Sequence, residues 1–145
     1  MFLKDFFWLT VCPKCPIIHS ILTSKELNKM TATIETYNVE LAHQEALQAA
    51  NTAAQEFANS HFNGGDGGAC GFSWVDVYGV RSNSKLGKAL QTVGFRKSYS
   101  GSLQLWNKWY MGQSVDASGA GADAYATLLK DKLGLDKCYA GSRLD

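Results

Sequence analysis

The longest periodic pattern of apolar positions in the chain lies in residues 35–61. Its apolar residues recur at steps of three or four, which places them on one face of an amphipathic helix. They are Val39, Ala42, Ala46, Ala49, Ala53 and Phe57. Thr36 is the predicted N-cap, and the glycines that follow Phe62 and Asn63 end the helix. Because most of this face is alanine, we expect a neighbouring element to approach the helix closely.

Residues 70–80 (CGFSWVDVYGV) alternate as a β-strand that is rich in aromatic and β-branched side chains. Alternation gives one face with Phe72, Trp74, Asp76 and Tyr78, and another with Ser73, Val75 and Val77. Because both sets are largely apolar, the pattern predicts a central strand that is covered on both faces. A carboxylate among aromatic rings requires a partner, and for Asp76 we expect Arg96 or Arg143.

The rest of the chain predicts two more helices and three more strands. Ser84 is a good N-cap for a short helix, and Gly94 and Gly134 fit the positions that follow helix ends. The predicted helices span 83–94 and 120–133, and the predicted strands span 95–99, 102–109 and 137–142. The stretch GQSVDASGAGA before the second of these helices is predicted as a loop.

The length of 145 residues suits one domain with a modest core. The element order α-β-α-β-β-α-β predicts a single α+β domain, with a small mixed or antiparallel sheet of about four strands and three helices. The N-terminal segment differs in composition, since it holds both prolines and two of the four cysteines. We therefore expect residues 1–29 to be a non-native-looking or disordered extension, with Met30 as the true start of a globular domain 30–145.

Charge is distributed unevenly along the chain, although the formal net charge is only +1. Between Met30 and Val80 there are acidic residues but no lysine or arginine, and between Arg81 and Val115 there are lysines and arginines but no acid. Two interpretations stay open. Either the two blocks pair with each other in the fold, or the basic block forms an anion-binding face.

The start of the predicted 83–94 helix is the first candidate site. A helix N-terminus presents free N–H groups and a partial positive charge, which favour a phosphate or a carboxylate. The predicted anion-binding residues are Arg81, Ser82, Asn83, Ser84, Lys85 and Lys88. We expect the ligand to be a phosphorylated small molecule or a nucleotide, although the G-x-x-x-x-G-K-[ST] pattern of nucleotide-binding loops is missing.

Aromatic residues between cations form a second candidate site. Trp106 and Trp109 lie near Arg96 in the sequence, and such rings can stack a base while the cation holds a phosphate. The alternative is that the rings fill the core. The glycine-rich stretch NGGDGGACG contributes Asp66 and Gly67 as further ligand-binding candidates, or it is only a flexible connection between a helix and a strand.

Catalytic and metal-binding patterns are weak. His61, Cys70 and either Asp66 or Asp76 are near enough in the chain for a Cys–His–Asp set, but a buried cysteine is usually just a small apolar residue. The CPKC motif at 12–15 lacks a second pair of ligands, so we assign no metal, no cofactor and no catalytic residue. No apolar run is long enough to cross a membrane, and the cysteine pattern favours a reducing compartment.

Several stretches together resemble a group of small uncharacterised proteins of tailed bacteriophages. They are GDGGACGFSWVDVYG, KLGKAL, GFRKSYSG, LQLWN, GQSVDASGAGADAYA and YAGSRLD. The resemblance covers residues 36–145 and omits the first 29 residues, which agrees with a start at Met30. It implies a location in the cytoplasm of an infected bacterial host, and it brings no established activity.

The expected function is that of a small phage accessory protein. It would bind a phosphorylated or nucleotide-like ligand, or a host protein, without catalysis. One alternative is a virion-associated or protein–protein interaction module that docks through the alanine face of the long helix. Another is a small hydrolase or transferase that uses His61, Cys70 or Asp76.

Overall fold

The computed structural model describes residues 24–145. It confirms a single α+β domain with the predicted element order. The elements are α1 (Ser24–Phe62), β1 (Gly71–Val77), α2 (Lys85–Thr92), β2 (Arg96–Lys97), β3 (Leu103–Trp106), α3 (Val115–Leu133) and β4 (Cys138–Leu144). The CPKC motif and most of the predicted 1–29 extension lie outside the described residues.

The four strands form one antiparallel sheet in the order β2-β3-β1-β4. β1 lies between β3 and β4, which confirms that it is a central strand. The segments β1-α2-β2 and β3-α3-β4 are two split β-α-β units, each with an antiparallel strand between its two parallel strands. Because crossovers of this kind share one hand, both connections place their helix on the same side of the sheet.

The helices cover only one face of the sheet, so the prediction that β1 is covered on both faces is wrong. On the helix side, Val75 and Val77 are 0% exposed. On the other side, Phe72 is 42% exposed and Tyr78 is 39% exposed. Residues of all three helices join the helix-side residues of the sheet in one core. Within residues 24–145, no helix remains to cover the second face.

α1 begins earlier than predicted and buries a different set of alanines. It starts at Ser24, so Thr36 lies inside the helix and is not its N-cap. The buried stripe is Val39, Ala42, Ala46, Ala50, Ala54 and Ala58, whereas Ala49, Ala53 and Phe57 are only partly buried. The stripe packs against α3, where a Cβ added to Gly121 would lie 2.9 Å from the carbonyl oxygen of Ala50. The close approach expected of an alanine face is therefore present.

Local capping signals mark the ends of α2 and α3. Ser84 is the N-cap of α2, as predicted, and Gly134 closes α3 in the left-handed region with φ of 62°. The predicted loop before α3 is wrong from its fourth residue onward, because α3 begins at Val115 with Ser114 as its N-cap. Gly119 and Gly121 both lie inside this helix, and Gly121 gives room to a neighbouring side chain.

Candidate functional site

The uncovered side of the sheet, which we call the open face, carries side chains from all four strands. In an antiparallel pair, residues that lie opposite each other point to the same face. The strand registers therefore define its members. They are Arg96 from β2, Gln104 and Trp106 from β3, Phe72, Trp74 and Asp76 from β1, and Tyr139, Gly141 and Arg143 from β4.

Exposed aromatic rings dominate the open face. Trp106 and Trp74 lie opposite each other, with ring centroids 5.3 Å apart. Phe72 meets Trp106 edge-on, at a centroid distance of 6.2 Å and an interplanar angle of 80°. Tyr78, just after β1, and Tyr139 form a second pair with centroids 6.3 Å apart. Trp106 is 48% exposed and Tyr139 is 53% exposed, so large flat surfaces face the solvent.

Trp74 is held in place by β4 and by Asp76. A Cβ added to Gly141 would lie 2.6 Å from the indole Cε2, so glycine is what leaves room for this ring. The indole Nε1 donates to Asp76 Oδ2 at 2.7 Å, and the Ser102 hydroxyl donates to Asp76 Oδ1 at 2.8 Å. The predicted arginine partners of Asp76 are therefore wrong, because both carboxylate oxygens accept from neutral donors.

Two arginines lie at opposite edges of the open face. Arg96 is on the edge strand β2, and Arg143 lies opposite Phe72 on the edge strand β4. The salt bridge found in the described part of the chain joins Lys132 to Glu45, far from this face and on the helix side. The acidic and basic blocks thus form no ion pair with each other among residues 24–145, and neither arginine makes a salt bridge within that range.

A cavity of about 420 Å³ adjoins the aromatic rings at one end of the open face. Phe72 and Trp106 line it together with the amide side chains of Asn107 and Gln113. The Asn107 amide is engaged in the fold, since its Oδ1 accepts from two backbone N–H groups and its Nδ2 donates to a carbonyl oxygen. Gln113 accepts from a cysteine thiol through its Oε1, which leaves its amide N–H groups for a ligand.

The predicted anion-binding residues are divided between two cavities. Arg81, Ser82 and Asn83 line a cavity of about 670 Å³ together with Lys97, and we call this cavity the basic hollow. Ser84 and Lys85 line a different cavity, of about 760 Å³, between the three helices, and Lys88 is exposed on α2. The hydroxyl of Ser84 is already used, because it accepts the Gly87 N–H at 3.0 Å to cap α2. The predicted set therefore lines two cavities that meet at the start of α2.

Asp66 ties the loop after α1 to the start of α3. Its carboxylate accepts from the Gln113 N–H at 2.8 Å, the Ser114 N–H at 3.1 Å and the Tyr110 hydroxyl at 3.2 Å. The bond from Gln113 is the main cause that lowers the pKa of Asp66. Gly67 packs against an aromatic ring of α1. This loop lies before β1 and the basic hollow lies after β1, so the two are at opposite ends of the sheet.

Trp109 lies in the core and not on the open face. It is 2% exposed, its Nε1 donates to the carbonyl oxygen of Ser118 at 2.8 Å, and its ring stacks on Tyr125 with centroids 5.5 Å apart. β3 ends at Trp106, so the alternation of the predicted 102–109 strand does not continue to Trp109. Trp106 and Trp109 therefore do not share a site.

The residues of the Cys–His–Asp set are not brought together. His61 donates to a backbone carbonyl oxygen one turn earlier in α1, Cys70 donates to Gln113, and Asp76 accepts from Trp74. Within residues 24–145 there is also no group of three or more His, Cys, Asp or Glu that can hold a metal ion. No helix in that range is long and apolar enough to cross a membrane.

Sequence reasoning missed a polar pair that joins α1 to α3. His43 Nδ1 lies 2.6 Å from the hydroxyl oxygen of Tyr125. Burial lowers the pKa of His43 and raises the pKa of Tyr125, so both side chains are neutral near pH 7. Burial also raises the pKa of the Cys138 thiol to about 11, which leaves it unreactive. These side chains lie on the helix side of the sheet and line no cavity on the open face.

Phe72, Tyr139 and Arg143 are open-face residues that sequence reasoning did not assign to a site. Tyr139 and Arg143 come beside β1 only through pairing with β4, which no local pattern reveals. One signal was present in β1 itself. A carboxylate in an alternating strand is typical of a face that meets solvent, and Asp76 could have identified the aromatic face as open.

Comparison of the chain with protein-family models, with curated proteins and with solved structures finds no match. The function therefore has to be inferred from the chemistry of the open face.

Proposed function

We propose that this chain is a non-catalytic accessory protein of a tailed bacteriophage that binds single-stranded nucleic acid on the open face. The observation that carries this proposal is the set of exposed rings on an uncovered sheet with an arginine at each edge. Phe72, Trp106, Tyr78 and Tyr139 are each more than one-third exposed. Water contact with that much aromatic surface is unfavourable, and a contiguous patch of this kind is typical of a binding site.

The rings would bind bases by stacking. Every base has a flat face, and stacking on an aromatic side chain contributes roughly 1–3 kcal/mol per base. Trp106 offers the largest exposed ring, and Phe72 stands edge-on beside it at 6.2 Å. The adjoining cavity would let the Gln113 amide donate a hydrogen bond to the edge of a stacked base.

The charges on the face favour a particular placement of the ligand. Asp76 is near the middle of the sheet and repels phosphate, whereas Arg96 and Arg143 are at the two edges and attract it. We therefore place the bases over the centre of the open face and the phosphates at its margins. Arg81 and Lys97 of the basic hollow supply further positive charge at the end of β1.

Fluorescence polarisation with a labelled uridine or thymidine oligonucleotide tests the stacking. We expect binding by the full chain, and Trp106→Ala weakens it by about 5- to 150-fold because one stacked base is lost. Leu41→Ala is the matched control, since Leu41 is 40% exposed but lies on α1. Equal affinities of Trp106→Ala and the unchanged chain would rule out the open face as the binding surface.

The salt dependence of the same binding tests the arginines. Two phosphate contacts on a single strand give a slope of about −1.4 in a plot of log K against log salt concentration, and Arg96→Ala reduces its magnitude by about 0.7. Lys88→Ala should leave the slope unchanged, because Lys88 is exposed on the helix side. A slope near zero for the unchanged chain would be incompatible with phosphate contacts.

The basic hollow supports a second candidate, the binding of a small phosphorylated ligand. Arg81 and Lys97 both line it and make no salt bridge within the described part of the chain. In a thermal-shift experiment with nucleotides, we expect stabilisation that Arg81→Ala weakens. Lys85→Ala separates this site from the helix N-terminus as a whole, because Lys85 lines the other cavity. If Lys85→Ala weakens the shift and Arg81→Ala does not, the hollow is not the site.

The interaction module based on the alanine face is not proposed, because α3 already covers that face. Ala46, Ala50 and Ala54 are each 0% exposed. A protein partner would have to use another surface of the molecule.

A further inference from the structure

β4 is an edge strand whose outer side is free. It is seven residues long and has β1 as its one neighbour in the described sheet. Natural proteins usually protect such edges with proline, lysine, a bulge or a covering element. β4 has neither proline nor lysine, and each of its residues pairs in regular register with β1. Its outer edge is therefore ready to pair with another strand.

The hydrogen bonds at the two ends of β4 show which residues face outward. Tyr78 donates its N–H to the Lys137 carbonyl oxygen at 2.9 Å, and Asp145 donates its N–H to the Cys70 carbonyl oxygen at 3.1 Å. In an antiparallel pair, every second residue bonds to the same neighbour. The backbone groups that point away from β1 therefore belong to Cys138, Ala140, Ser142 and Leu144.

We propose that two copies of this chain pair through their β4 strands, antiparallel and about a two-fold axis at Gly141, into one continuous sheet. This register pairs Cys138 with Leu144 and Ala140 with Ser142 of the second copy, and the reverse. These are the residues with outward backbone groups, so the orientation of the free N–H and C=O groups fits the register. Because of the two-fold axis, each of these contacts occurs twice in the dimer, as in most protein dimers.

The side chains are self-complementary in the same register. On the open face, Tyr139 comes to lie opposite Arg143 of the second copy, which is a favourable ring–guanidinium contact. Lys137 comes to lie opposite Asp145, which joins opposite charges. Sliding one strand by two residues in one direction puts Lys137 opposite Arg143, and two like charges facing each other destabilise a strand pair. Sliding it in the other direction removes the favourable pair of Lys137 with Asp145. The charges therefore select the proposed register.

An exposed leucine and a groove occupy matching positions on the helix side. Leu144 is 63% exposed, which is unusual for so large an apolar side chain. A cavity of about 450 Å³ lies between α3 and β4. It is lined by the apolar side chains of Ala126, Cys138 and Ala140 and by polar side chains of α3 that include Thr127 and Lys130. Because Leu144 of one copy pairs with Cys138 of the other, each leucine would enter the groove of the opposite subunit.

This dimer does not depend on the nucleic-acid proposal. It places the open faces of two copies side by side on one sheet, whatever ligand they bind. It leaves the exposed rings of Phe72 and Trp106 free, because the contact is made by the β4 edge and by α3. Tyr139 and Arg143 are engaged between the two copies, so in the dimer Arg96 is the arginine that remains at an outer margin of the sheet.

Sedimentation equilibrium of the full chain, from about 1 μM to about 200 μM, measures the association. We expect a monomer–dimer equilibrium. Leu144→Lys and Ala140→Pro each weaken it by at least about tenfold, since the first removes the inserted side chain and the second removes an outward N–H. Leu41→Lys is the matched control, because Leu41 is an exposed leucine on α1. Circular dichroism reports whether each variant stays folded, and Leu144→Lys alters only an exposed side chain.

Charge exchange distinguishes self-pairing from capture of some other strand. Lys137→Asp and Asp145→Lys each place like charges opposite each other and weaken the dimer. The double variant restores opposite charges and restores association. A monomer at every concentration overturns the proposal, and so does a dimer that Leu144→Lys and Ala140→Pro leave unchanged. A double variant no stronger than the single variants overturns the register.

Discussion

Asp66 is one residue whose carboxylate organises the junction between two elements. It accepts two backbone N–H groups and one hydroxyl from residues 110–114, and the pKa of Asp66 is lowered mainly by the bond from the Gln113 N–H. A lowered pKa means that the folded state prefers the ionised form. Asp66 therefore stabilises the fold fully above its unfolded pKa of about 3.9, and this stabilisation is lost as pH falls through the lower folded pKa.

The first prediction is that Asp66→Asn lowers stability near neutral pH and has little effect in strong acid. Urea denaturation at about pH 7 and about pH 2 measures both differences. Asp136→Asn is the control, because Asp136 is an exposed carboxylate with no hydrogen bond described for its side chain. A destabilisation of equal size at both pH values would show that Asp66 acts through shape and not through its charge.

Two glycines in α3 give a matched pair of substitutions. A Cβ added to Gly121 would overlap the Trp109 ring and approach the Ala50 carbonyl oxygen to 2.9 Å, whereas a Cβ added to Gly119 would meet nothing within 4 Å. We expect Gly121→Ala to destabilise the fold by about 1–3 kcal/mol through overpacking. Gly119→Ala should stabilise it by roughly 0.5–1 kcal/mol, since alanine has the higher helix propensity.

The midpoints of urea denaturation compare the two variants directly. If both glycine substitutions stabilise the protein, α1 and α3 do not pack as closely as described. The pair also shows a limit of sequence reasoning. Gly119 and Gly121 look alike in the sequence, and the difference between them is set by Trp109, which reaches α3 from the segment after β3.

At the scale of the elements, α1 shows that a repetitive sequence does not determine which face of a helix is buried. Alanine occupies both positions of the neighbouring pairs 49–50 and 53–54, so two stripes with equal hydrophobicity fit the same helix. The structure buries Ala50 and Ala54 completely and leaves Ala49 and Ala53 partly buried. The existence of the helix was predictable from its period, but the choice between two adjacent stripes depends on α3.

Substitution at the pair 53–54 tests which face of α1 is buried. We expect Ala54→Leu to destabilise the fold by about 1–3 kcal/mol, because a larger side chain does not fit between α1 and α3. Ala53→Leu should cost clearly less, since its side chain can extend to the solvent. Thermal unfolding measures the loss of stability in the two variants. Equal losses of stability would mean that positions 53 and 54 are equally buried.

The ends of elements were predictable where the signal is local. Ser84 caps α2 through its own hydroxyl, and Gly134 ends α3 through its own backbone conformation. The start of α3 was missed although Ser114 is also a good N-cap, because the glycines that follow favoured a loop. The same cap occupies part of the predicted anion site, since the Ser84 hydroxyl accepts the N–H of Gly87 within the helix.

At the scale of the whole molecule, the sequence predicted the class and order of elements but not which side of the sheet would be left open. The alternation in β1 shows that the strand has two faces, but it does not show which face the helices cover. The three helices share one side because of the handedness of two crossovers and the packing of α1 against α3. The open face, with residues from four strands, is a product of that global arrangement.

The predicted start at Met30 can also be tested on the whole molecule. Among the described side chains of α1, Val39 is the first buried one, Thr36 is partly buried, and Ser24, Lys25, Glu26 and Lys29 are exposed. We expect a chain that begins at Met30 to unfold within about 0.5 kcal/mol of the full chain in urea, since it keeps the core. A clearly lower midpoint would show that residues before Met30 are part of the folded unit.

The pairing of β1 with β4 also constrains how a new chain folds during translation. β1 is made early, but its partner Cys138–Leu144 follows two helices and two other strands. Until the ribosome has released β4, one edge of β1 has no strand to bond with, and its aromatic sequence FSWVDV is available to other chains. A chain stalled shortly before β4 would therefore be prone to aggregate or to engage a chaperone, and completion of the last strand ends that exposure.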